Sequence, residues 1–444
     1  MPTYEAGAWK SLQLKNFRRF EDTGPITFAP VTLYFGKNSS GKTSLLRSPL
    51  LLKQMVQARG IEVPLVGAEV DLGSYRELVH QGQLRRNVEI SFEVGQMLGA
   101  PTWGQPRMLQ RLHPDYGDFI ESMRVHVELH WNVRNSRTQM DKLVLASSSS
   151  GAEIKMTRRG PAELLLEFPA QAKRFVVDNP LTFSALRFLD LSTSAASGRQ
   201  DQPSPELNAL DYLTFMAVNS IQSAAAGLIH IGPLRDVPDR AYRTDQAGQA
   251  GSAGSIVEVL AGERQAQKRV SQALQLIGMA RDVTLKTLAP GYVGIVLTDS
   301  TTGRLDNLAD VGFGVSQVLP ILVTLATAPR GATVLIEQPE LHLHPDAQGQ
   351  LADVLFQLSR ERNLTLVLET HSEHILLRAQ RRIAEGQLAA DDVAPYFVDA
   401  GQVRRAAIDD LGRLDSEAMP GGFFEEEWVD AVKLAQAAAR KRSR

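Results

Sequence analysis

Three short stretches of continuous apolar and β-branched residues each give way abruptly to polar residues. They are Val31–Phe35, Thr333–Glu337 and Thr365–Glu369. Runs of this kind, without alternation, are typical of strands buried on both faces of a parallel sheet. Because ligands of open α/β sheets bind beyond the carboxyl ends of the strands, we expect the groups that end these runs to lie together. These groups are the loop at 36–43, Glu337 and His371.

Other stretches alternate between apolar and polar residues, which predicts half-buried antiparallel strands. They lie at 9–20, 26–28, 88–94 and 125–131, with a further strand at Glu163–Phe168. Helical patterns lie at 210–218 and 255–277, and another helix with one apolar face begins near Pro345. The helix that follows residue 43 contains Pro49, and we expect it to be interrupted or shifted there. Together these elements predict an α/β fold.

The loop after the first apolar run matches the phosphate-loop template G-x-x-x-x-G-K-[ST] at every fixed position, from Gly36 to Thr43. Its glycines let successive backbone N–H groups point at phosphate oxygens, and the following helix adds the positive end of its dipole. Lys42 is expected to reach the β- and γ-phosphates, and the Thr43 hydroxyl to bind Mg²⁺. The predicted nucleotide-binding residues here are Gly36, Asn38, Ser39, Ser40, Gly41, Lys42, Thr43 and Ser44.

The second half of the chain supplies two further elements of such a site. A glycine-rich turn precedes an apolar helix at 318–326, and its helix-start N–H groups are a second potential phosphate contact. The residues concerned are Gly312, Gly314, Ser316 and Gln317. Glu337 ends its strand as an acid, which is the position of a carboxylate that helps to hold Mg²⁺. A large insertion must therefore separate the two halves of the site.

Length, net charge and cysteine content limit the classes of protein to which this chain can belong. The chain has 444 residues, of which 43% are hydrophobic, enough for more than one core. Its net charge of −2 provides no global basic field for nucleic acid or anionic membrane. It contains no cysteine, which excludes disulfides and thiolate metal sites. Neither a secretory signal nor a membrane-spanning run is visible, so we expect a cytoplasmic protein that does not enter a membrane.

The order of these motifs resembles the ABC-type, AAA-family ATPase heads of the SMC, RecF and overcoming-lysogenization-defect group. The nearest resemblance is to bacterial ATPases with a DUF3696-type C-terminus. The sequence segments that carry the resemblance are 16–18, 36–43, 71–74, 231–235, 310–320, 335–345, 370–372 and 421–424. The run from Glu337 to Pro345, which reads EQPELHLHP, is the most specific part, and the resemblance is thin between about 95 and 225.

The resemblance implies a P-loop head with a central mixed sheet flanked by helices, an antiparallel β subdomain and an inserted α+β region. The expected parts are an N-terminal half of the head with the Walker A loop, an inserted or flanking subdomain, a C-terminal half of the head, and a DUF3696-like segment. Their predicted bounds are 1–94, 95–225, 226–400 and 401–444.

The resemblance also implies a homodimer, or a higher homo-oligomer, closed around ATP and Mg²⁺. The 312–317 segment of one chain would cap the γ-phosphate held by Lys42 of the other. Glu337 would supply the carboxylate on the Mg²⁺ side of the nucleotide. His371 would be the switch histidine, which contacts the γ-phosphate. Relatives usually place glutamate after the Walker B acid to orient the attacking water, whereas this chain has Gln338. The catalytic residues are thus expected to be Lys42, Glu337, Gln338 and His371, with hydrolysis that is slow.

Two functions are compatible with these motifs. The first is an ATPase that acts as a switch on DNA or on a separate nuclease or other effector, in DNA repair or anti-phage defence. The second is an ATP-dependent clamp, scaffold or sensor with negligible turnover. A transporter subunit is disfavoured because the LSGGQ text is absent, and a small-molecule kinase because nothing resembles an acceptor site.

Some residues allow a second interpretation. Arg18 and Arg19 fit a solvated sheet edge better than a place beside the nucleotide. Glu369 is more simply a strand-end acid than a ligand. For four histidines, a zinc site is the weaker alternative to a role at the nucleotide. For the basic tail at 440–444, contact with a nucleic-acid phosphate backbone is the weaker alternative to a solvated chain end. The histidines are His342, His344, His371 and His374.

Overall fold

A computed structural model describes most of the chain. The described residues are 9–58, 62–95, 122–148, 153–161, 163–168, 173–178, 181–182, 205–235, 237–244 and 253–415. The predictions for the motif at 421–424 and for the basic tail lie outside these residues.

Six of the described strands form a mixed sheet that carries the phosphate loop. In spatial order they are β11 (Leu228–Ile231), β16 (Thr333–Glu337), β17 (Thr365–Glu369), β4 (Val31–Phe35), β18 (Val393–Asp399) and β19 (Gln402–Arg405). All neighbours pair in parallel except β18 and β19. The three apolar runs are therefore adjacent strands with their carboxyl ends at one edge, which confirms that part of the first expectation.

The alternating segments belong to a second, antiparallel sheet. Its described strands follow the order β10 (Lys173–Asp178), β9 (Glu163–Phe168), β8 (Glu153–Arg158), β7 (Arg137–Ser147), β6 (Ser122–Asn132), β5 (Val88–Gly95), β1 (Trp9–Phe17) and β2 (Phe20–Asp22), and β3 (Ile26–Thr27) pairs with β1. Strands on both sides of the predicted boundary at residue 95 thus share one sheet, because β5 pairs directly with β6. The division at that point stays a prediction.

A smaller antiparallel sheet lies in the second half of the chain. It has the order β12 (Tyr242–Arg243), β14 (Tyr292–Thr298) and β13 (Asp282–Ala289), and β15 (Leu305–Asn307) pairs with β14.

The described part of the chain contains eight α-helices. They are α1 (Lys42–Gln57), α2 (Tyr75–Leu78), α3 (Pro205–Ala226), α4 (Ala253–Gly262), α5 (Arg264–Leu276), α6 (Phe313–Thr327), α7 (Pro345–Arg362) and α8 (Glu373–Ala384), with 3₁₀ turns at His80–Gly82, Leu308–Asp310 and Ala390–Asp392. No described helix is both long enough and apolar enough to cross a membrane. The helical segment expected at 255–277 is two helices, separated at Glu263.

The expected break at Pro49 is wrong, because α1 continues through it to Gln57. Proline lacks the N–H that would donate to the carbonyl of Leu45 four residues earlier. The hydroxyl of Ser48 donates to that carbonyl instead, at 2.9 Å. This side-chain hydrogen bond replaces the one that proline removes and keeps the helix continuous behind the phosphate loop.

Two hydrophobic cores cover the two faces of the mixed sheet. Alternate residues of one strand enter different cores: Leu335 packs in the core shared with the antiparallel sheet and α1, and Val334 and Ile336 pack in the core beneath α6 to α8. Because side chains alternate across a strand, side chains on both faces are buried here, which favours apolar residues throughout. This burial explains why the three runs do not alternate.

Candidate functional site

The phosphate loop lies between β4 and α1 and requires glycine at its first and sixth positions. A Cβ atom on Gly36 would lie 2.4 Å from the carbonyl oxygen of Val398. Gly41 has φ of +115°, and a Cβ there would lie 2.8 Å from Cζ of Phe20. Both distances are shorter than van der Waals contact, so packing as well as backbone conformation selects glycine.

Lys42 is the first residue of α1 and its side chain turns back into the loop. Its ammonium group donates to the carbonyl oxygens of Gly36 at 2.7 Å and Lys37 at 2.9 Å. The residue is 3% exposed. Burial lowers the pKa of Lys42, and the nearby carboxylates of Glu369 and Glu340 oppose this shift. A positive charge is thus held on the inner side of the loop, where phosphate would bind.

Thr43 contacts a carboxylate from the neighbouring strand. Its hydroxyl donates to Oε1 of Glu369 at 2.9 Å. Glu369 is 4% exposed, and within the described part of the chain its Oε2 has no hydrogen-bond partner. Burial raises the pKa of Glu369 above the ordinary value, against the effects of Thr43 and Lys42.

Glu337 ends β16 as expected, but its carboxylate is engaged by two other side chains. Arg47 of α1 donates to Oε1 at 2.6 Å and to Oε2 at 2.8 Å. The Nε2 atom of His230 lies 2.7 Å from Oε1. Although burial acts in the opposite direction, these two partners lower the pKa of Glu337. Its role as the metal-side carboxylate stays a prediction.

Gln338 and His371 lie at the expected edge of the sheet. The backbone N–H of Gln338 donates to the carbonyl of Glu369 at 2.7 Å, and its φ is +45°. Non-glycine residues adopt this conformation only where the surroundings enforce it, and such strain concentrates at functional sites. Burial and the Lys42 charge both lower the pKa of His371.

Glu340 supports the segment that carries the histidine. Its Oε1 accepts the backbone N–H of His371 at 2.8 Å. The residue is 8% exposed, and burial raises the pKa of its carboxyl group.

A cavity of about 790 Å³ lies over the phosphate loop. The predicted residues that line it are Asn38, Ser39, Gly41, Lys42, Thr43, Ser44, Gln338 and His371. Gly36, Ser40 and Glu337 do not line it. The sequence interpretation preferred a structural role for Arg18, Arg19 and Glu369, which do line the cavity, and it did not identify the wall formed by residues between 71 and 82. Residues 71–74 belong to the segments that resemble the family, and this resemblance was the signal in the sequence that could have indicated the wall.

The preference for a solvated edge at Arg18 was wrong. Its guanidinium donates to the Ser44 hydroxyl at 3.3 Å and to the Leu72 carbonyl at 3.1 Å. The turn between β1 and β2 carries it over the start of α1. Burial is the main cause that lowers the pKa of Arg18, followed by the charge of Arg47.

The glycine-rich start of α6 does not line this cavity. Gly312 is exposed, but Ser316 and Gln317 are buried. The Ser316 hydroxyl donates to the Phe313 carbonyl at 2.7 Å, and the Gln317 amide donates to the Arg235 carbonyl at 3.5 Å. Contact of this segment, including Gly314, with nucleotide stays a prediction.

The histidines proposed as zinc ligands have other surroundings. The ring of His342 packs edge-on against Phe313 with centroids 5.0 Å apart, and His344 caps α7. Across the described ranges, no three His, Cys, Asp or Glu side chains lie close enough to hold a metal ion. Mg²⁺ is usually bound by one or two carboxylates together with substrate phosphates, so a protein cage is not required. The oxygens of Thr43 and Glu369 are of the type that Mg²⁺ prefers.

Comparison with known proteins finds one family model that matches part of the chain. Residues 193–377 match the family described as "AAA domain, putative AbiEii toxin, Type IV TA system". This segment includes Glu337 and His371 but not the phosphate loop. The chain is similar to ATPase domains.

Two curated relatives are ATP-binding proteins. The chain is 26% identical over 216 residues to the methionine import ATP-binding protein MetN of Nocardia farcinica, which covers 45% of this chain and 63% of that protein. It is 28% identical over 164 residues to MetN 1 of Paraburkholderia xenovorans, which covers 34% of this chain and 44% of that protein. The chain therefore matches less than two thirds of the length of either relative.

Solved structures of SMC heads align over most of the chain. An SMC head bound to the C-terminal winged-helix domain of ScpA is 10% identical, with a TM-score of 0.44, and covers 93% of this chain and 100% of that chain. The SMC head of Pyrococcus furiosus with an extended coiled coil, bound to the C-terminal domain of ScpA, is 10% identical with a TM-score of 0.45, covering 90% and 96%.

Proposed function

We propose that this chain binds ATP with Mg²⁺ over the 36–43 loop and hydrolyses it. The observation that carries the proposal is the Lys42 ammonium, buried on the inner face of a glycine-requiring loop at the floor of a large cavity. Lys42 and the loop N–H groups would bind the phosphates, and Thr43 with a strand-end carboxylate would bind Mg²⁺. When bound, Mg²⁺ neutralises charge on the phosphate oxygens.

Slow turnover forms part of the proposal. Gln338 lines the cavity where an acid would orient the attacking water. An amide can hold a water molecule by hydrogen bonds but cannot accept its proton at neutral pH. Phosphoryl transfer depends mainly on positioning and charge stabilisation, so the expected result is reduced hydrolysis.

We further propose that two copies pair to complete each site. The start of α6 lies outside the cavity of its own chain, and its first residue, Phe313, is 48% exposed. Leu234 precedes Arg235, whose carbonyl accepts from Gln317 of α6, and is 89% exposed. Exposed apolar side chains next to a helix start that can bind phosphate fit a surface that is covered when a second copy approaches.

The family resemblance supports a role as a switch on DNA or on a separate effector protein, of the DNA repair or anti-phage defence type. The alternative is a clamp or sensor with negligible turnover, which the amide at position 338 favours. Stimulation of hydrolysis by nucleic acid would support the switch, and tight ATP binding with background turnover would support the clamp.

The first experiment is Mg-ATP turnover as a function of protein concentration. A composite site predicts a rate per chain that rises with concentration and is lost in Lys42→Ala, since the phosphates lose their buried cation. The control is Lys15→Ala, which removes a lysine from a partly exposed ion pair on β1. A rate independent of concentration would contradict pairing. Activity retained in Lys42→Ala would contradict the site itself.

A further inference from the structure

Two carboxylates end adjacent strands of the mixed sheet, and the structure distinguishes their roles. Glu337 and Glu369 are register partners in β16 and β17. Glu369 in turn pairs with Tyr34 of β4, the strand that leads into the phosphate loop. Neighbouring strands lie about 4.8 Å apart. The backbone of Glu369 therefore lies one strand away from β4, which leads into the loop, and the backbone of Glu337 lies two strands away.

The bonding of Glu369 leaves one oxygen free for a ligand. Its Oε1 accepts the hydroxyl of Thr43, the residue expected to bind Mg²⁺, and the side chain lines the cavity. Its Oε2 is buried without a hydrogen-bond partner in the part of the chain that the structure describes. A buried carboxylate oxygen without a partner is costly, and a bound cation would remove that cost.

The bonding of Glu337 leaves no such oxygen. Its side chain is 3% exposed, both oxygens accept from Arg47, and one of them also contacts His230. It is absent from the cavity wall. To reach a cation over the loop, this carboxylate would have to give up a bidentate ion pair, one of the stronger polar contacts in proteins.

We propose that Glu369, and not Glu337, supplies the carboxylate that binds the Mg²⁺ of a bound nucleotide, and that Glu337 positions Arg47 behind the loop. This inference rests on the proposed nucleotide site. It assigns the Mg²⁺-binding carboxylate to β17, the strand next to β4, although the sequence motif places it on β16, one strand further away.

The test is the affinity for a non-hydrolysable ATP analogue, measured by calorimetry in EDTA and in Mg²⁺. For Glu369→Gln we expect an affinity in EDTA close to that of the unmodified protein, with the gain in Mg²⁺ reduced roughly tenfold or more. Glu337→Gln is the matched control, since it makes the same neutral replacement one strand away. It should retain the Mg²⁺-dependent gain.

Mn²⁺ in place of Mg²⁺ supplies a readout independent of affinity. The electron paramagnetic resonance spectrum of Mn²⁺ with the analogue should change in Glu369→Asp, which keeps the charge but shortens the side chain, and remain unchanged in Glu337→Asp. These two variants decide the question if Glu369→Gln does not fold, as judged by circular dichroism.

The opposite pattern would overturn the assignment: the Mg²⁺-dependent gain and the Mn²⁺ spectrum altered by changes at Glu337 and not at Glu369. Failure of the proposed function looks different, because the unmodified protein would then bind no analogue in either EDTA or Mg²⁺.

Discussion

The sharpest stability prediction concerns Gly41→Ala. The φ of +115° at this position is one that residues with a Cβ rarely adopt, and such strain costs about 1–3 kcal/mol. The new methyl group would also lie 2.8 Å from the ring of Phe20, which is fully buried and cannot move away freely. Overpacking of this kind costs about 1–3 kcal/mol. We therefore expect a loss of roughly 2–6 kcal/mol of unfolding free energy.

Urea denaturation measures this loss, and Gly24→Ala is the matched control. Gly24 also has a positive φ, +63°, but a Cβ there would meet nothing within 4 Å. Its replacement should cost only the backbone part, about 1–2 kcal/mol. With an m-value of about 3 kcal/mol/M, Gly41→Ala should lower the urea midpoint by roughly 0.7–2 M.

A double-mutant cycle with Phe20→Leu isolates the steric part. The smaller side chain makes room for the methyl group, so the two changes together should cost about 1–2 kcal/mol less than the sum of the single changes. A Gly41→Ala midpoint equal to that of Gly24→Ala, or a cycle with no coupling, would refute the reasoning about Phe20.

Two further predictions concern the edge of the sheet. Gln338→Glu should raise the rate of Mg-ATP hydrolysis, because a carboxylate can accept the proton of the attacking water. Phosphate release at saturating ATP measures this rate, with Gln338→Asn as the control. An unchanged or lower rate in Gln338→Glu would argue against a direct role of residue 338. Glu340→Gln should keep the acceptor for the His371 N–H while removing a buried acid whose folded-state pKa lies above its unfolded value. Such a group lowers stability as pH rises from the unfolded towards the folded pKa, so urea midpoints of the variant should exceed those of the parent at pH 8 by more than at pH 4. A parent protein that gains stability relative to the variant over this range would contradict the burial argument.

Local patterns in the sequence were sufficient to predict the phosphate loop and the strands around it. The three apolar runs are buried on both faces, and this burial is the physical cause of their lack of alternation. The motif at 36–43 is recognisable from its own eight residues, including glycine at the first and sixth positions. Because both signals are read within a few residues, recognising them requires no knowledge of the rest of the chain.

Only the tertiary structure decided which side chains meet. Sequence spacing cannot show that β17 lies between β4 and β16, and this order brings Glu369 to Thr43 while Glu337 pairs with Arg47. The position of Arg18 over α1 likewise depends on how one sheet packs on the other. Contacts between residues far apart in sequence follow from strand order, register and packing, which no local pattern encodes.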